Sequence, residues 1–268
     1  MRLYVIAVYL FLYIPIGIIA LFSFNAGRHA AQFAGFSTQW YGKALDNPFV
    51  IDALKTSFTV AMTSALLATV CGTLAAVALQ GIRGRLRMVY DALIYMAVMV
   101  PGIVIGIATL ITLVTVFDTL NPLLATLFGG KAPPQLGLGK GSLIAAHGLF
   151  TMALVIVIVR ARLQGMDRTL LEAAADLGAP PMRSFVQITL PQIAPAVLAG
   201  FLLAFTFSFD DFIVAFFVAG SETTLPIYVF SSIRRGVTPE INAIGAMVMA
   251  ASLVLLITAQ MILRPRKR

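Results

Sequence analysis

Charged residues are scarce in this chain. Only 11% of its 268 residues are Asp, Glu, Lys or Arg, whereas 60% are hydrophobic and the mean hydropathy is +0.95. Soluble domains are about a quarter charged, and no hydrophilic stretch here is long enough to form a separate soluble domain. The composition therefore predicts a single all-α membrane domain over residues 1–268.

Reactive side chains are few as well. The one cysteine, Cys71, lies in an apolar run, which excludes a disulfide framework or a thiolate cluster. His29 and His147 show no metal-ligand spacing, and the segment "GLGKGS" (137–142) lacks the full spacing of a nucleotide-binding loop. No Ser/His/Asp or paired-carboxylate arrangement indicates catalysis. We therefore expect no enzymatic activity and no metal or cofactor bound by this chain.

Long apolar runs, in contrast, are abundant. A membrane span needs about 20 apolar residues, and six spans fit the sequence, at about 3–24, 54–80, 89–116, 141–162, 194–219 and 241–263. The first run exceeds the apolar part of a signal peptide, so we interpret it as a span.

The basic residues predict the orientation of these spans. With both termini in the cytoplasm, the inner side collects most of the 19 Lys and Arg residues: Arg2, Arg83, Arg85, Arg87, Arg160, Arg162, Arg168, Arg183, Arg264, Arg266, Lys267 and Arg268. Short cytoplasmic loops are typically rich in Lys and Arg. Orientation thus explains the net charge of +8 without nucleic acid, and it makes 25–53, 117–140 and 220–240 the outer loops.

A polar segment interrupts the apolar sequence on the cytoplasmic side, at about 164–193. Thr169 and Glu172 have the spacing of a capping box, which starts a helix. Gly178 suits the left-handed position that ends one, and Pro180-Pro181 prevents its continuation. A helix this short needs a surface to pack on. That surface is either a partner protein or the chain's own helices, and the residues alone leave both open.

The same segment resembles the E-A-A-x3-G-x9-I-x-L-P signature of permease subunits in binding-protein-dependent ABC importers. The matching residues are Glu172, Ala173, Ala174, Gly178, Ile188, Leu190 and Pro191. The resemblance implies the six-span fold of a type I importer permease, with this segment as a coupling helix seated on a separate ATPase. It also implies that Glu172, Ala173, Gly178 and a Leu190-Pro191 turn transmit closure of the ATPase.

Four stretches narrow the resemblance to the second permease subunit of spermidine/putrescine importers: "GFSTQWY" (35–41), "EAAADLGA" (172–179), "FSFDDFIVAFFVAG" (207–220) and "GVTPEINA" (236–243). This implies polyamine import across a bacterial inner membrane, with half of the pathway formed by this chain. The implied partners are a homologous permease, a cytoplasmic ATPase dimer that holds ATP and Mg, and a periplasmic or extracellular substrate-binding protein.

Candidate substrate contacts lie within the fifth predicted span, 194–219. Carboxylates inside a membrane are costly and usually face a cavity or a partner. Asp210 lies about 24 Å from the start of that span at Ala194, in its outer half, if the helix rises 1.5 Å per residue. Neighbouring helical residues diverge, so only one of Asp210 and Asp211 is expected to face the pathway, with Ser208 adding a hydroxyl. Solvated acids at the outer interface are the alternative.

Trp40 and Tyr41, in the first outer loop, favour an aromatic belt at the headgroups. Cation–π contact with an alkylammonium substrate is the alternative. Gly102 departs from the polyamine subfamily, which carries an acid at this place after the proline. An importer of an amino-acid derivative or opine therefore remains an alternative within the class. Outside it, a secondary transporter or channel and a membrane-embedded enzyme are the rivals.

Overall fold

The computed structural model describes residues 1–28, 32–128, 135–167 and 169–263, which are mostly helical. Within them, six helices are long and apolar enough to cross a membrane: Leu3–Phe22, Pro48–Ala78, Gly102–Phe128, Lys140–Gln164, Pro181–Asp210 and Pro239–Thr258. Six is also the number of spans predicted from the sequence. His29, Arg168, Arg264, Arg266, Lys267 and Arg268 lie outside the described residues.

The helices, in chain order, are α1 (Arg2–Phe22), α2 (Gln39–Asp46), α3 (Pro48–Ala78), α4 (Gly84–Met99), α5 (Gly102–Phe128), α6 (Lys140–Gln164), α7 (Thr169–Asp176), α8 (Pro181–Ser184), a π-helix (Phe185–Thr189), α9 (Leu190–Asp210), α10 (Ile213–Val218), α11 (Leu225–Arg235) and α12 (Pro239–Leu263). They form two compact units. One comprises Met1–Lys55 and Thr223–Arg268, and the other comprises Thr56–Glu222.

In the first unit, α12 packs against α1 and α2. The fully buried Asn25 organises the described part of the loop between α1 and α2. Its side chain donates to the carbonyl of Gln32 and accepts from the N–H groups of Gly27 and Ala34. The side chain of Asn47 donates to Glu240, which ties the junction of α2 and α3 to α12.

In the second unit, α9 packs along α6. Val155 of α6 is fully buried, and glycines of two other helices face it. A Cβ atom at Gly72 of α3 would lie 3.0 Å from Val155, and one at Gly200 of α9 would lie 3.4 Å from it. Small residues let helix backbones approach closely in a membrane. These two glycines therefore bring α3 and α9 onto the same stretch of α6.

The third predicted span, 89–116, is wrong as a single helix. The chain breaks between α4 and α5, where Val100 is extended (φ −67°, ψ 133°) before Pro101. Proline lacks an N–H group and disfavours helical backbone at the residue before it. The helix of span length is Gly102–Phe128, which reaches well into the predicted outer loop 117–140.

The fifth predicted span, 194–219, is wrong at both ends. Helical backbone runs from Pro181 through the π-helix to Asp210, and Asp211 is extended (φ −71°, ψ 122°). The predicted Leu190-Pro191 turn is also wrong, because both residues lie in the first turn of α9. A proline is tolerated there since its missing N–H removes little from the first turn.

Two of the predicted outer loops contain helices that the apolar pattern did not reveal. These are α2 in 25–53 and α11 in 220–240. The second span also begins earlier than predicted, at Pro48, where the side chain of Asn47 accepts a hydrogen bond from the N–H of Phe49. Asparagine before an N-terminal proline is a favourable helix start. The polar residues Asp52 and Lys55 in the following turn concealed it.

Candidate functional site

The helix predicted in the polar segment is present as α7, but its N-terminal cap differs from the prediction. Thr169 is the first helical residue, and both its N–H and its hydroxyl donate to the carboxylate of Asp167, at 2.9 and 2.8 Å. These two bonds lower the pKa of Asp167. The capping box of Thr169 with Glu172 is therefore replaced by an aspartate cap two residues earlier.

The C-terminus of α7 follows the prediction. Gly178 has a φ of +75°, in the left-handed region that favours glycine. The N–H of Ala179 donates to the carbonyl of Ala174, and the N–H of Gly178 donates to that of Ala175. This pair of bonds is a Schellman motif. Pro180 is extended, and Pro181 opens the next helix.

The surface of α7 is open. None of its residues is buried; Glu172 and Ala173 are exposed and Ala174 is half-buried. Beyond its C-terminus the side chain of Leu177 is 87% exposed, and Met182 is also exposed. Within the described residues, α7 lies against α8 and the π-helix only at its edges. The chain's own helices therefore leave the alanine face and its apolar neighbours uncovered.

The rest of the signature leads into α9. Ile188 is half-buried in the π-helix, whereas Leu190 and Pro191 are exposed in the first turn of α9. Helical backbone continues from Pro181 to Asp210. The turn at 177–180 therefore joins α7 to one long helix that ends at the first of the two aspartates.

Asp210 and Asp211 stand where that connection ends. Asp210 is the last residue of α9, about 30 Å from Leu190 at 1.5 Å per residue. Its side chain is exposed, and among the described residues it has no hydrogen bond or ion pair. Asp211, in contrast, accepts a hydrogen bond from the N–H of Ala215 at 3.0 Å and further bonds from Ile213 and Val214. The carboxylate of Asp211 thus caps α10, while that of Asp210 is available.

A buried polar network backs this pair. Ser208 is buried, and its hydroxyl lies 2.8 Å from Nδ1 of His147 and 2.9 Å from the hydroxyl of Ser64. Nε2 of His147 lies 3.5 Å from the carboxylate of Asp211. The sequence indicated Ser208 as a substrate contact and gave His147 an ordinary role. The signal for the network was three polar residues in apolar spans, but their pairing across three helices is not visible in the sequence.

Trp40 and Tyr41, predicted in a loop, lie in the first turn of α2 and are held by residues of the preceding loop. The indole Nε1 of Trp40 donates to the carbonyl of Asn25 at 2.8 Å, and the amino group of Lys43 lies 4.2 Å from the ring centroid. The side chain of Trp40 is 9% exposed. The hydroxyl of Tyr41 bonds to that of Ser23 at 2.6 Å. One face of the tryptophan ring therefore already carries an internal cation.

Asp91, the remaining acid of the predicted spans, is paired. Its carboxylate binds the guanidinium of Arg160 on α6 and lies 3.8 Å from that of Arg87 one turn away. Arg162 donates to the carbonyl of Gln192. These contacts bring together the ends of α4, α6 and α9 to which the charge pattern assigned the cytoplasmic side. No group of three or more metal-ligating side chains occurs in the described parts of the chain.

Solved structures share this fold. A bacterial ABC transporter involved in the import of the acidic polysaccharide alginate matches over 100% of this chain and 95% of that chain, with a TM-score of 0.77 and 17% identity. The MetNI methionine ABC transporter matches over 81% of this chain and 96% of that one, with a TM-score of 0.63 and 15% identity. The predicted all-α architecture of an ABC importer permease with six spans is confirmed.

Sequence comparison gives the family. The spermidine/putrescine transport system permease protein PotC of Escherichia coli (strain K12) is 38% identical over 263 residues, which cover 98% of this chain and 93% of PotC. The putrescine transport system permease protein PotI of the same strain is 39% identical over 244 residues, covering 90% and 82%. The family model of the binding-protein-dependent transport system inner membrane component matches residues 68–267. The chain belongs to this family of inner membrane transport components.

Proposed function

We propose that this chain is a permease subunit of an ATP-driven polyamine importer in a bacterial inner membrane, where it forms half of the translocation pathway. The observation that carries the proposal is the open surface of α7, which the turn at 177–180 joins to the long helix that ends at the unpaired carboxylate of Asp210. The similarity to PotC and PotI over nearly the whole chain supports a polyamine as the solute.

The α7 surface is where the ATPase docks. Glu172, Ala173 and Ala174 present a small-residue face, and the exposed Leu177 and Met182 add apolar area. Small residues allow close approach of a groove, and the apolar side chains gain by leaving water. Hydrolysis then occurs on a cytoplasmic ATPase dimer that holds ATP and Mg, and Gly178, Ile188, Leu190 and Pro191 connect this docking point to α9. The termini lie on the same cytoplasmic side.

Asp210 is the carboxylate that meets the substrate. An alkylammonium group needs a carboxylate acceptor, and a charge-assisted hydrogen bond is about twice as strong as a neutral one. Asp210 offers this without breaking an internal bond, whereas Asp211 would have to leave α10. Ser208 supports the site through the buried network instead of contacting the substrate. Trp40 and Tyr41 shape the outer loop where a substrate-binding protein delivers its cargo.

A second permease, homologous to this chain, supplies the other half of the pathway. One chain presents one open α7 surface and one unpaired carboxylate at the end of α9. A polyamine carries two or more ammonium groups, so a pathway assembled from two such chains offers it carboxylates from both sides.

A related importer for a solute of lower charge is the second candidate, and Gly102 favours it. A Cβ at Gly102 would lie 3.7 Å from the side chain of Ile213, two residues beyond Asp211. An acid at this position would add a third carboxylate beside the pair. Glycine there lowers the negative charge of the site and suits a substrate with fewer ammonium groups.

Uptake by the reconstituted importer separates the two candidates. Vesicles containing this chain, its partner permease and the ATPase are supplied with the binding protein and with labelled spermidine, putrescine or a short amino acid. Uptake of either polyamine that depends on ATP supports the proposal. If only the amino acid is taken up, the second candidate, an importer for a solute of lower charge, is favoured over a polyamine importer. Uptake of any solute without ATP contradicts the importer class.

A further inference from the structure

The buried network of Ser64, His147 and Ser208, which joins α3, α6 and α9, contains one nitrogen without a hydrogen-bond partner in the described part of the chain. Ser64, Ser208 and His147 are 0%, 3% and 1% exposed, and together they join three helices of one unit. Within the described residues, Nε2 of His147 is buried and has no hydrogen bond. A buried polar atom without a partner is unfavourable. This atom is aimed at Asp211, whose nearer carboxylate oxygen lies 3.5 Å away.

Electrostatics assigns the direction of the hydrogen bonds. A neutral imidazole carries its proton on one of its two nitrogens. If Nδ1 carried it, the lone pair of Nε2 would face the carboxylate of Asp211, and the two would repel. With the proton on Nε2, Nδ1 accepts from the hydroxyl of Ser208. The hydroxyl of Ser64 then shares its one proton between Ser208, at 2.9 Å, and the carbonyl of Ala61, at 3.2 Å. The network then ends in an N–H group that points at Asp211.

The carboxylate of Asp211 consequently has N–H groups on two sides, of which those of α10 form hydrogen bonds with it. The N–H groups of Ile213, Val214 and Ala215 bind it from the start of α10, and His147 faces it from α6. The neighbouring carboxylate of Asp210 has no such partners among the described residues. Two adjacent acids thus differ in availability because the N–H groups at the start of α10 bind only Asp211 and His147 faces only Asp211.

We propose that His147 is a positioning residue for substrate transfer: through Nε2–H it holds the carboxylate of Asp211 on α10 and leaves Asp210 as the carboxylate open to the substrate cation. This rests on the proposed function for the identity of the substrate site, but the holding of Asp211 stands on geometry alone.

Two substitutions test the contributions of the two nitrogens of His147 separately. The amide of His147→Asn overlays Nδ1 and keeps the bond to Ser208, whereas the longer His147→Gln carries its amide to the position of Nε2 and keeps the contact with Asp211. Thr151→Val is a matched control one turn along α6, because the Thr151 hydroxyl bonds only to carbonyls of its own helix.

Carbodiimide labelling of the assembled importer in lipid vesicles, read by mass spectrometry of residues 207–220, tests the holding of Asp211. In the wild type, in His147→Gln and in Thr151→Val we expect label on Asp210 and protection of Asp211. In His147→Asn, labelling of Asp211 rises by about tenfold, the equivalent of one lost hydrogen bond to a charged group. Equal labelling of Asp211 in the Asn and Gln variants overturns the proposal.

Spermidine added to the same reaction tests the proposed function separately. Protection of Asp210 by spermidine supports Asp210 as the substrate carboxylate. If spermidine does not protect Asp210 while Asp211 still depends on His147, the proposed substrate site fails and the positioning role stands.

A double-mutant cycle on uptake tests whether His147 acts through Asp211. His147→Asn should reduce the maximal rate in the wild type but not further in Asp211→Asn, because coupled residues are not additive. A purely structural role predicts additive losses, and additivity overturns the proposal.

Discussion

Among single residues, the two aspartates at the end of α9 differ in what their carboxylates contact. The helix ends between them because Asp211 turns extended and caps α10, which leaves Asp210 exposed at the last helical position. Of two adjacent acids, Asp211 thus has a structural role as a helix cap, whereas Asp210 has no partner among the described residues. The structural one holds the break, and the free one is available for binding.

Neutralising the free carboxylate should affect transport and not assembly. We expect Asp210→Asn to lower polyamine uptake by about tenfold or more, because a charge-assisted hydrogen bond to the ammonium group is lost. Uptake by reconstituted vesicles measures the loss. The control is Asp52→Asn, which removes an exposed acid beside Lys55. Unaltered uptake in Asp210→Asn contradicts the role assigned to Asp210.

Gly220, just beyond α10, has no room for a side chain. Its φ is +59°, and a Cβ there would lie 2.6 Å from the carbonyl oxygen of Leu138. We expect Gly220→Ala to lower the free energy of unfolding by about 1–3 kcal/mol through backbone strain and the clash. Thermal unfolding in lipid discs measures it.

Gly17→Ala is the matched control, because Gly17 is helical and a Cβ there has no neighbour within 4 Å. Helix propensity predicts that this change is neutral or stabilising. Similar melting temperatures for the two variants would show that the close approach at Gly220 does not matter.

At the scale of elements, α7 is a short helix with a hydrogen-bonded cap at each end, and within the described residues it packs only against its neighbours α8 and the π-helix. Asp167 accepts from the first N–H group of α7, and the N–H groups of Gly178 and Ala179 donate to carbonyls of its last turn. Local bonds therefore maintain a helix that is too short to be stable alone in water, and its open side stays free for a second protein.

Charge reversal on α7 should uncouple the ATPase without unfolding the permease. We expect Glu172→Lys to insert into the membrane normally but to lose most of the stimulated ATPase activity, because the substituted side chain changes the surface that docks. Asp118→Lys makes the same change of charge on α5, away from α7, and should retain stimulation. Normal stimulated turnover in Glu172→Lys contradicts the docking role.

Local features of these elements were predictable from the sequence, and non-local ones were not. The helix at 169–176 and its glycine end follow from bonds within a few residues. Pro101 and Gly102 predict a kinked or partly opened helix, and the break between α4 and α5 agrees with this. The break at Asp211 was missed because periodicity does not register one extended residue. The contact of His147 with Ser208 joins residues 61 positions apart, so no local pattern could place Ser208 in the core.

At the scale of the whole molecule, the single cysteine makes the orientation testable. The chain carries Arg83, Arg85 and Arg87 at the start of α4 and Arg160 and Arg162 at the end of α6, as expected for cytoplasmic ends. Lys140 and Glu222, which lie 3.7 Å apart, mark the opposite ends. These two sets of residues define the two faces of the second unit.

In a Cys71→Ser background, a new cysteine at exposed Met182 should react with a membrane-impermeant maleimide only in inside-out vesicles. A cysteine at exposed Ser221 should react only in right-side-out cells. Gel shift of the labelled chain measures both. The reverse pattern would place the α7 surface outside and would exclude contact with a cytoplasmic ATPase.

The most direct test of the central claim measures ATP hydrolysis by the complete importer, with the binding protein loaded in turn with spermidine, putrescine or a short amino acid. The account predicts that a polyamine-loaded binding protein stimulates hydrolysis and that Glu172→Lys abolishes the stimulation. Stimulation that persists in Glu172→Lys, or that is absent with both polyamines, would contradict it.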